Sequence, residues 1–157
     1  MSTTSSILGP VVGALISGLI GVATVEYRNY RDEVAEIEGW YDQVIRLADQ
    51  VERETPESYF PEIRGDDKAS GTREQKNDMS AAYGKIGDRL RDHIHRAPPE
   101  ITESVLGPAS ETARYCQIVD REDLRSGDFI PMVGNAVESA DKLQDVAKDA
   151  KEDVGLF

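Results

Sequence analysis

The residues best suited to chemistry are a carboxylate and two histidines near the middle of the chain: Asp92, His93 and His95. On a helix, Asp92 and His95 are three positions apart and share one face, as ligands in metal-binding bundles do. Di-iron bundles, however, need two Glu-x-x-His motifs and two further glutamates. Both histidines of this chain lie in one short stretch between Arg91 and Arg96, and they point about 200° apart on a helix. We therefore predict a solvated helix end with a cationic bias, and no metal site.

Other catalytic patterns do not appear in the sequence. Cys116 is the single cysteine, so no intrachain disulfide can form, and its apolar surroundings predict a buried small side chain. The sequence has no G-x-S-x-G elbow and no glycine-rich phosphate loop. Most carboxylates fall on the polar faces of predicted helices, where solvation is the default. We expect no enzymatic activity, no cofactor and no small-molecule substrate.

Composition narrows the possible partners. The formal net charge is −12 and the pI is about 4.6, which argues against nucleic acid and against a domain lying flat on anionic lipid. The chain has 15 Asp and 15 Glu but 12 Arg and only 6 Lys. This balance is typical of proteins from halophilic, salt-accumulating archaea, where a Debye length of about 3 Å at 1 M salt screens acidic self-repulsion. An ordinary acidic protein of a mesophile is the alternative.

An uncharged apolar segment precedes the rest of the chain. Residues 7–25 read ILGPVVGALISGLIGVATV, and roughly 20 apolar residues are needed to cross a bilayer as a helix. Residues 1–6 contain no basic side chain and no A-x-A-like cleavage site follows the run, so we expect a retained anchor and no cleaved signal peptide. We predict a transmembrane helix over 7–25, with residues 1–6 as an extracytoplasmic stub. Arg28 and Arg31 place the bulk of the chain in the cytoplasm.

Small residues recur inside this segment at every fourth position: Gly9, Gly13, Ser17 and Gly21. Rows of this kind let the backbones of two membrane helices approach closely. We predict a helix-association face here, with the lipid bilayer and either a second copy or another membrane protein as partners.

Beyond the span, apolar side chains follow an unbroken heptad in steps of three and four residues: Tyr27, Tyr30, Val34, Ile37, Tyr41, Val44, Ala48 and Val51. This pattern predicts a coiled-coil or bundle helix over 26–53. Gly39 is its weak point, which costs about 1 kcal/mol relative to Ala, and we interpret it as a place where another helix approaches closely.

Three further helices are expected, over 72–97, 99–119 and 131–154. Thr72 and Gln75 fit a capping box, Gly107-Pro108 should kink or split the third helix, and Pro131 suits the first turn of the fourth. Residues 54–71 form a long loop that either carries function or simply crosses the end of the bundle.

The predicted fold is all-α: an N-terminal transmembrane helix continuous with a cytoplasmic antiparallel four-helix bundle over 26–157. The predicted function is that of a single-pass, membrane-anchored tether or interaction module without enzymatic activity. The alternative is a membrane-perturbing or pore-forming protein that assembles through its glycine-rich span. A bundle enzyme or metal site near His95 is a weaker third hypothesis.

Overall fold

The computed structural model describes the backbone of residues 8–63, 72–121, 124 and 126–154, and their side chains except those of residues 8–24, 61, 62 and 126. Within this part the chain is all-helical and contains no strand. Four long helices are α1 (Leu8–Arg53), α3 (Arg73–His95), α4 (Glu103–Val119) and α5 (Ser126–Val154). A 3₁₀ turn (Glu57–Tyr59) and the short α2 (Phe60–Ile63) follow α1. The chain divides into two compact units, Met1–Glu36 and Ile37–Phe157.

The predicted transmembrane helix is not supported by this structure. Among the fully described residues, no helix is both long and apolar enough to cross a membrane. Residues 7–24 of the predicted span lie outside those residues: residue 7 is not described at all, and for 8–24 only the helical backbone is described.

The second unit is a helical bundle, as the heptad patterns predict. Its core is built from the positions spaced three and four apart on each long helix, because those positions share one helical face. The buried side chains of these seams are Tyr41, Val44, Ala48 and Val51 of α1, Met79, Tyr83, Ile86 and Leu90 of α3, Val105, Ala109, Ala113 and Cys116 of α4, and Val133, Ala136, Ala140, Leu143 and Ala147 of α5.

Contacts at both ends of the bundle show that α3 runs opposite to the bundle part of α1. Near the α3 C-terminus, the Trp40 indole Nε1 donates to the His93 carbonyl oxygen at 3.1 Å. Near the α1 C-terminus, the hydroxyls of Thr55 and Tyr83 lie 2.7 Å apart. The Thr55 hydroxyl donates to the carbonyl of Val51, so the Tyr83 hydroxyl is the donor to Thr55. This chain of hydrogen bonds satisfies two buried hydroxyls in an apolar core.

Helices α3 and α4 approach each other closely at Gly87, a glycine that the heptad pattern does not single out. A Cβ on Gly87 would lie 2.9 Å from Cγ of Gln117 and 3.0 Å from the carbonyl oxygen of Ala113. At Gly39, by contrast, a Cβ would meet nothing within 4 Å among the described residues. The interpretation of Gly39 as a close-approach site was therefore wrong.

The capping box at the start of α3 is present. The Gln75 backbone N–H donates to the Thr72 hydroxyl at 3.2 Å, and the Thr72 N–H donates to the Gln75 side-chain oxygen at 2.9 Å. The predicted end at residue 97 lies two residues beyond the observed end at His95.

Helix α4 begins at Glu103, four residues later than expected. Residues 98–101 form a turn in which the Ile101 N–H bonds to the Pro98 carbonyl at 3.1 Å, and this turn buries Ile101. The Gly107-Pro108 pair does not split α4. The Thr112 hydroxyl donates to the Pro108 carbonyl at 2.9 Å and receives a hydrogen bond from Ser139 of α5.

Helix α5 begins at Ser126, so that Pro131 stands inside the helix and not at its first turn. The extra turn contains Phe129, which is 3% exposed and makes an edge contact with Tyr59 at a centroid distance of 6.3 Å. Burial of a large aromatic ring outweighs the backbone hydrogen bond that Pro131 removes. Tyr59 and Ile63 thereby hold the described part of the 54–71 loop against the core.

Candidate functional site

In the histidine cluster near the end of α3, His93 packs against Trp40 of α1. The rings of His93 and Trp40 stack with centroids 5.1 Å apart and planes 13° from parallel. His93 Nε2 lies 3.1 Å from the Trp40 carbonyl oxygen, and because a carbonyl only accepts, Nε2 carries the proton in this contact. His95 is exposed. Among the described residues, no three His, Cys, Asp or Glu side chains come together as metal ligands.

The thiol of Cys116 is inaccessible, as its apolar context predicts. Its side chain is fully buried, and burial raises the pKa of the thiol to about 12. A thiol is nucleophilic only as the thiolate, so this cysteine is held in its unreactive form at neutral pH.

The predicted association row cannot be placed from side-chain contacts. Gly9, Gly13, Ser17 and Gly21 belong to the helical backbone of α1, but their surroundings lie outside the described residues. The row remains a prediction.

An exposed apolar surface follows this row directly. In the fully described part of the chain, the large hydrophobic side chains with substantial exposure are Val25 at 57%, Tyr27 at 62% and Tyr30 at 44%. Val34, the next heptad position, is half-buried. We call Tyr27, Tyr30 and Val34 the exposed seam. Its members occupy the same heptad positions that are buried from Tyr41 onward.

Charged side chains flank the exposed seam. Glu26, Arg28, Arg31, Asp32 and Glu33 are all solvent-exposed. The surface therefore combines an apolar stripe with charges of both signs, an arrangement typical of a helix that packs against another structure.

Two of the clefts on the described part of the bundle differ in charge. The first has a volume of about 460 Å³ and is lined by Ile63 and by seven residues of α5: Ile130, Pro131, Gly134, Asn135, Val137, Glu138 and Asp141. The pKa of Asp141 is raised, first by partial burial and then by the charges of Glu52 and Asp145, while Lys148 opposes the shift. This acidic cleft repels anionic ligands.

The second cleft, of about 680 Å³, is cationic: it is lined by Arg73, Lys76 and Arg121, with Phe129 on its wall. The Lys76 ammonium lies 4.3 Å from the centroid of the Phe129 ring, a cation–π contact. Arg121 also takes part in interactions of its own, and Asp120 lines the same cleft. Lys76 and Arg121 therefore both have partners within the protein.

Comparison with known proteins adds no assignment. No protein-family model matches the chain, and neither a curated protein nor a solved structure does so.

Sequence reasoning missed the cationic cleft and the buried hydroxyl pairs. Arg73 and Arg121 are far apart in the chain, and only the i, i+3 spacing of Arg73 and Lys76 hints at a shared surface. The pairs Thr55–Tyr83 and Thr112–Ser139 give no local signal in the sequence. Thr112 and Ser139 belong to different helices. Thr55 lies in the turn after α1, whereas Tyr83 lies in α3.

Proposed function

We propose that this chain is a single-pass membrane-anchored helical bundle that acts as a non-enzymatic tether or interaction module on the cytoplasmic face of the cell membrane. The supporting observation is the location of exposed apolar surface. The three markedly exposed large hydrophobics of the fully described residues are Val25, which ends the uncharged run of residues 7–25, and Tyr27 and Tyr30, which follow that run directly.

Physical chemistry favours a membrane interface at this point. Tyrosines are enriched where a span leaves the bilayer, since the ring is apolar and the hydroxyl is hydrated. Arg28 and Arg31 stand beside Tyr27 and Tyr30, and basic residues flanking a span favour the cytoplasmic side. In water alone, an aromatic ring that is 62% exposed forgoes the stabilisation that burial supplies.

The surroundings of His93 and Cys116, the side chains best suited to catalysis, support a non-catalytic role. His93 is stacked on Trp40 and bonded to its carbonyl, and the Cys116 thiol is buried with a raised pKa. The His93 ring is thus used in packing and hydrogen bonding between helices, and the Cys116 thiol is enclosed in the core.

Vesicle flotation tests the anchor. The full chain is synthesised in the presence of liposomes, washed with alkaline carbonate and centrifuged through a density gradient. We expect the chain to float with the vesicles. Leu15→Arg places a charge near the centre of the predicted span, at a cost of about 2.5–3.5 kcal/mol on insertion scales, and should reduce flotation, whereas Leu15→Ile should not. Recovery of the unmodified chain in the soluble fraction would contradict the proposal.

The same vesicles distinguish a tether from a pore. Liposomes loaded with a self-quenched dye should stay sealed when the chain inserts, because a tether needs no aqueous path. Dye release that rises with the amount of inserted chain would favour the pore-forming alternative.

A further inference from the structure

The heptad of α1 is used in two different ways along its length. From Tyr41 to Val51 its apolar positions are buried inside the bundle. In the exposed seam, Tyr27, Tyr30 and Val34, the same positions continue in steps of three and four residues but are exposed or half-buried. Lipid alone requires no heptad spacing, whereas a second helix does, because a and d side chains must return to one face.

The charges beside the exposed seam define a compatible partner. With Tyr27 and Val34 at position a and Tyr30 at d, Glu26 occupies position g and Arg31 the following position e. In a parallel pair, g of one helix meets the next e of the other. Glu26 of each copy would then lie opposite Arg31 of the second copy, which gives two attractive ion pairs per dimer.

We propose that two copies of this chain pair in parallel along the exposed seam, with Glu26 of each copy next to Arg31 of the other. The inference rests on the proposed membrane anchor, which inserts both copies in the same direction. The shared direction of insertion and the contact between Glu26 and Arg31 both favour a parallel pair.

The next heptad limits the length of the pair. Glu33 at g would meet Glu38 at e of the second copy, an unfavourable contact. Two residues beyond Glu38, the core of the chain's own bundle begins with the buried Trp40 and Tyr41. The two-copy contact thus covers about one cytoplasmic heptad, and it is short enough to depend on the anchor for its effective concentration.

Disulfide crosslinking of the full chain in vesicles tests the geometry. Val34→Cys places a thiol at an a position, which faces its counterpart in a parallel pair, while Asp32→Cys at f faces away. Under mild oxidation we expect a disulfide-linked dimer for Val34→Cys at several times the yield for Asp32→Cys. The parent chain is the blank, since its one thiol is buried. Equal yields from the two variants would overturn the proposal and indicate that lipid, and not a second copy, covers the exposed seam.

A charge swap tests the ion pairs in the Val34→Cys background. Glu26→Arg or Arg31→Glu replaces two attractive contacts by two repulsive ones, and each should lower the dimer yield about threefold, the scale expected for exposed pairs. The double variant should restore the yield. Glu26 and Arg31 are five residues apart and are not neighbours on one helix, so restoration requires contact between copies. Failure of the double variant to recover would refute the predicted register.

Flotation of the same samples separates this inference from the anchor. A chain that floats but gives no preferential crosslink has an anchor without the proposed pairing. A chain that crosslinks at Val34→Cys without floating would contradict the anchor and the dependence of the pairing on it. The effect of each charge reversal should shrink in 1 M KCl, where the Debye length is about 3 Å.

Discussion

Replacement of Gly87 by alanine should loosen the contact between α3 and α4. The new Cβ would lie 2.9 Å from Gln117 Cγ, 3.0 Å from the Ala113 carbonyl oxygen and 3.2 Å from Cys116 Cβ. Two of these atoms belong to a backbone and to a short buried side chain, so the helices themselves must move apart. Overpacking of a tight core typically costs about 1–3 kcal/mol.

The helix propensity of alanine opposes this cost by about 1 kcal/mol. The net effect on the free energy of unfolding is therefore a loss of up to about 2 kcal/mol. For a chain of this length, 1 kcal/mol corresponds to a shift in Tm of about 2–4 °C. We expect Gly87→Ala to lower the Tm by up to about 8 °C.

Gly39→Ala is the matched control, because a Cβ there meets nothing within 4 Å of the described residues. This variant should raise the free energy of unfolding by up to about 1 kcal/mol through helix propensity alone. Thermal unfolding of both full-length variants, followed by far-ultraviolet circular dichroism of the helical signal, measures the difference. A Gly87→Ala chain that melts at or above the Tm of Gly39→Ala would refute the close approach of α3 and α4.

Four further predictions use the same purified chain. Thr55→Val should destabilise the fold by about 1–3 kcal/mol in urea titration, because it leaves the buried Tyr83 hydroxyl without a partner, and Tyr83→Phe should cost less, about 1 kcal/mol; equal losses would contradict the donor assignment. Cys116 should resist a thiol reagent at pH 8, roughly half a unit below the free-thiol pKa, and react fully once urea unfolds the chain; rapid native labelling would show that the core is open. Asp141 has a pKa raised in the folded state, so its charged form opposes folding and stability falls as pH rises through that pKa; Asp141→Asn should be more stable than the parent at neutral pH and equal to it in acid. The Tm of the parent should rise from dilute buffer to molar KCl, since salt screens the net charge of −12, and a flat series would remove the halophile hypothesis.

Periodicity was sufficient to predict the helices of the bundle and most of their buried faces. Side chains at three- and four-residue steps share a face whatever the neighbouring helix is, so Val44, Leu90 and Leu143 were recognisable as core residues, and all three are fully buried or nearly so. The capping box of Thr72 and Gln75 was equally predictable, because its two residues are only three positions apart in the sequence.

Features that depend on a second element were not predictable. Gly87 and Gly39 look alike in sequence, and only the position of α4 makes one of them a contact and the other open space. The start of α5 at Ser126 depends on the burial of Phe129 next to Tyr59, which outweighs the local signal of Pro131. The pairing of His93 with Trp40 joins residues 53 positions apart, a separation at which side-chain type alone identifies no partner.

The central claim is that the apolar run of residues 7–25 anchors the intact chain in a membrane, and alkaline extraction with intact-mass analysis tests it most directly. Cells producing the untagged chain are broken, the membranes are washed with carbonate, and the mass of the chain is measured in the pellet and in the supernatant. The account predicts the uncleaved chain in the pellet, with residues 7–25 still attached. A soluble product that begins near Val25 would contradict it, because it would show that the segment is a removed signal and that the bundle has no anchor.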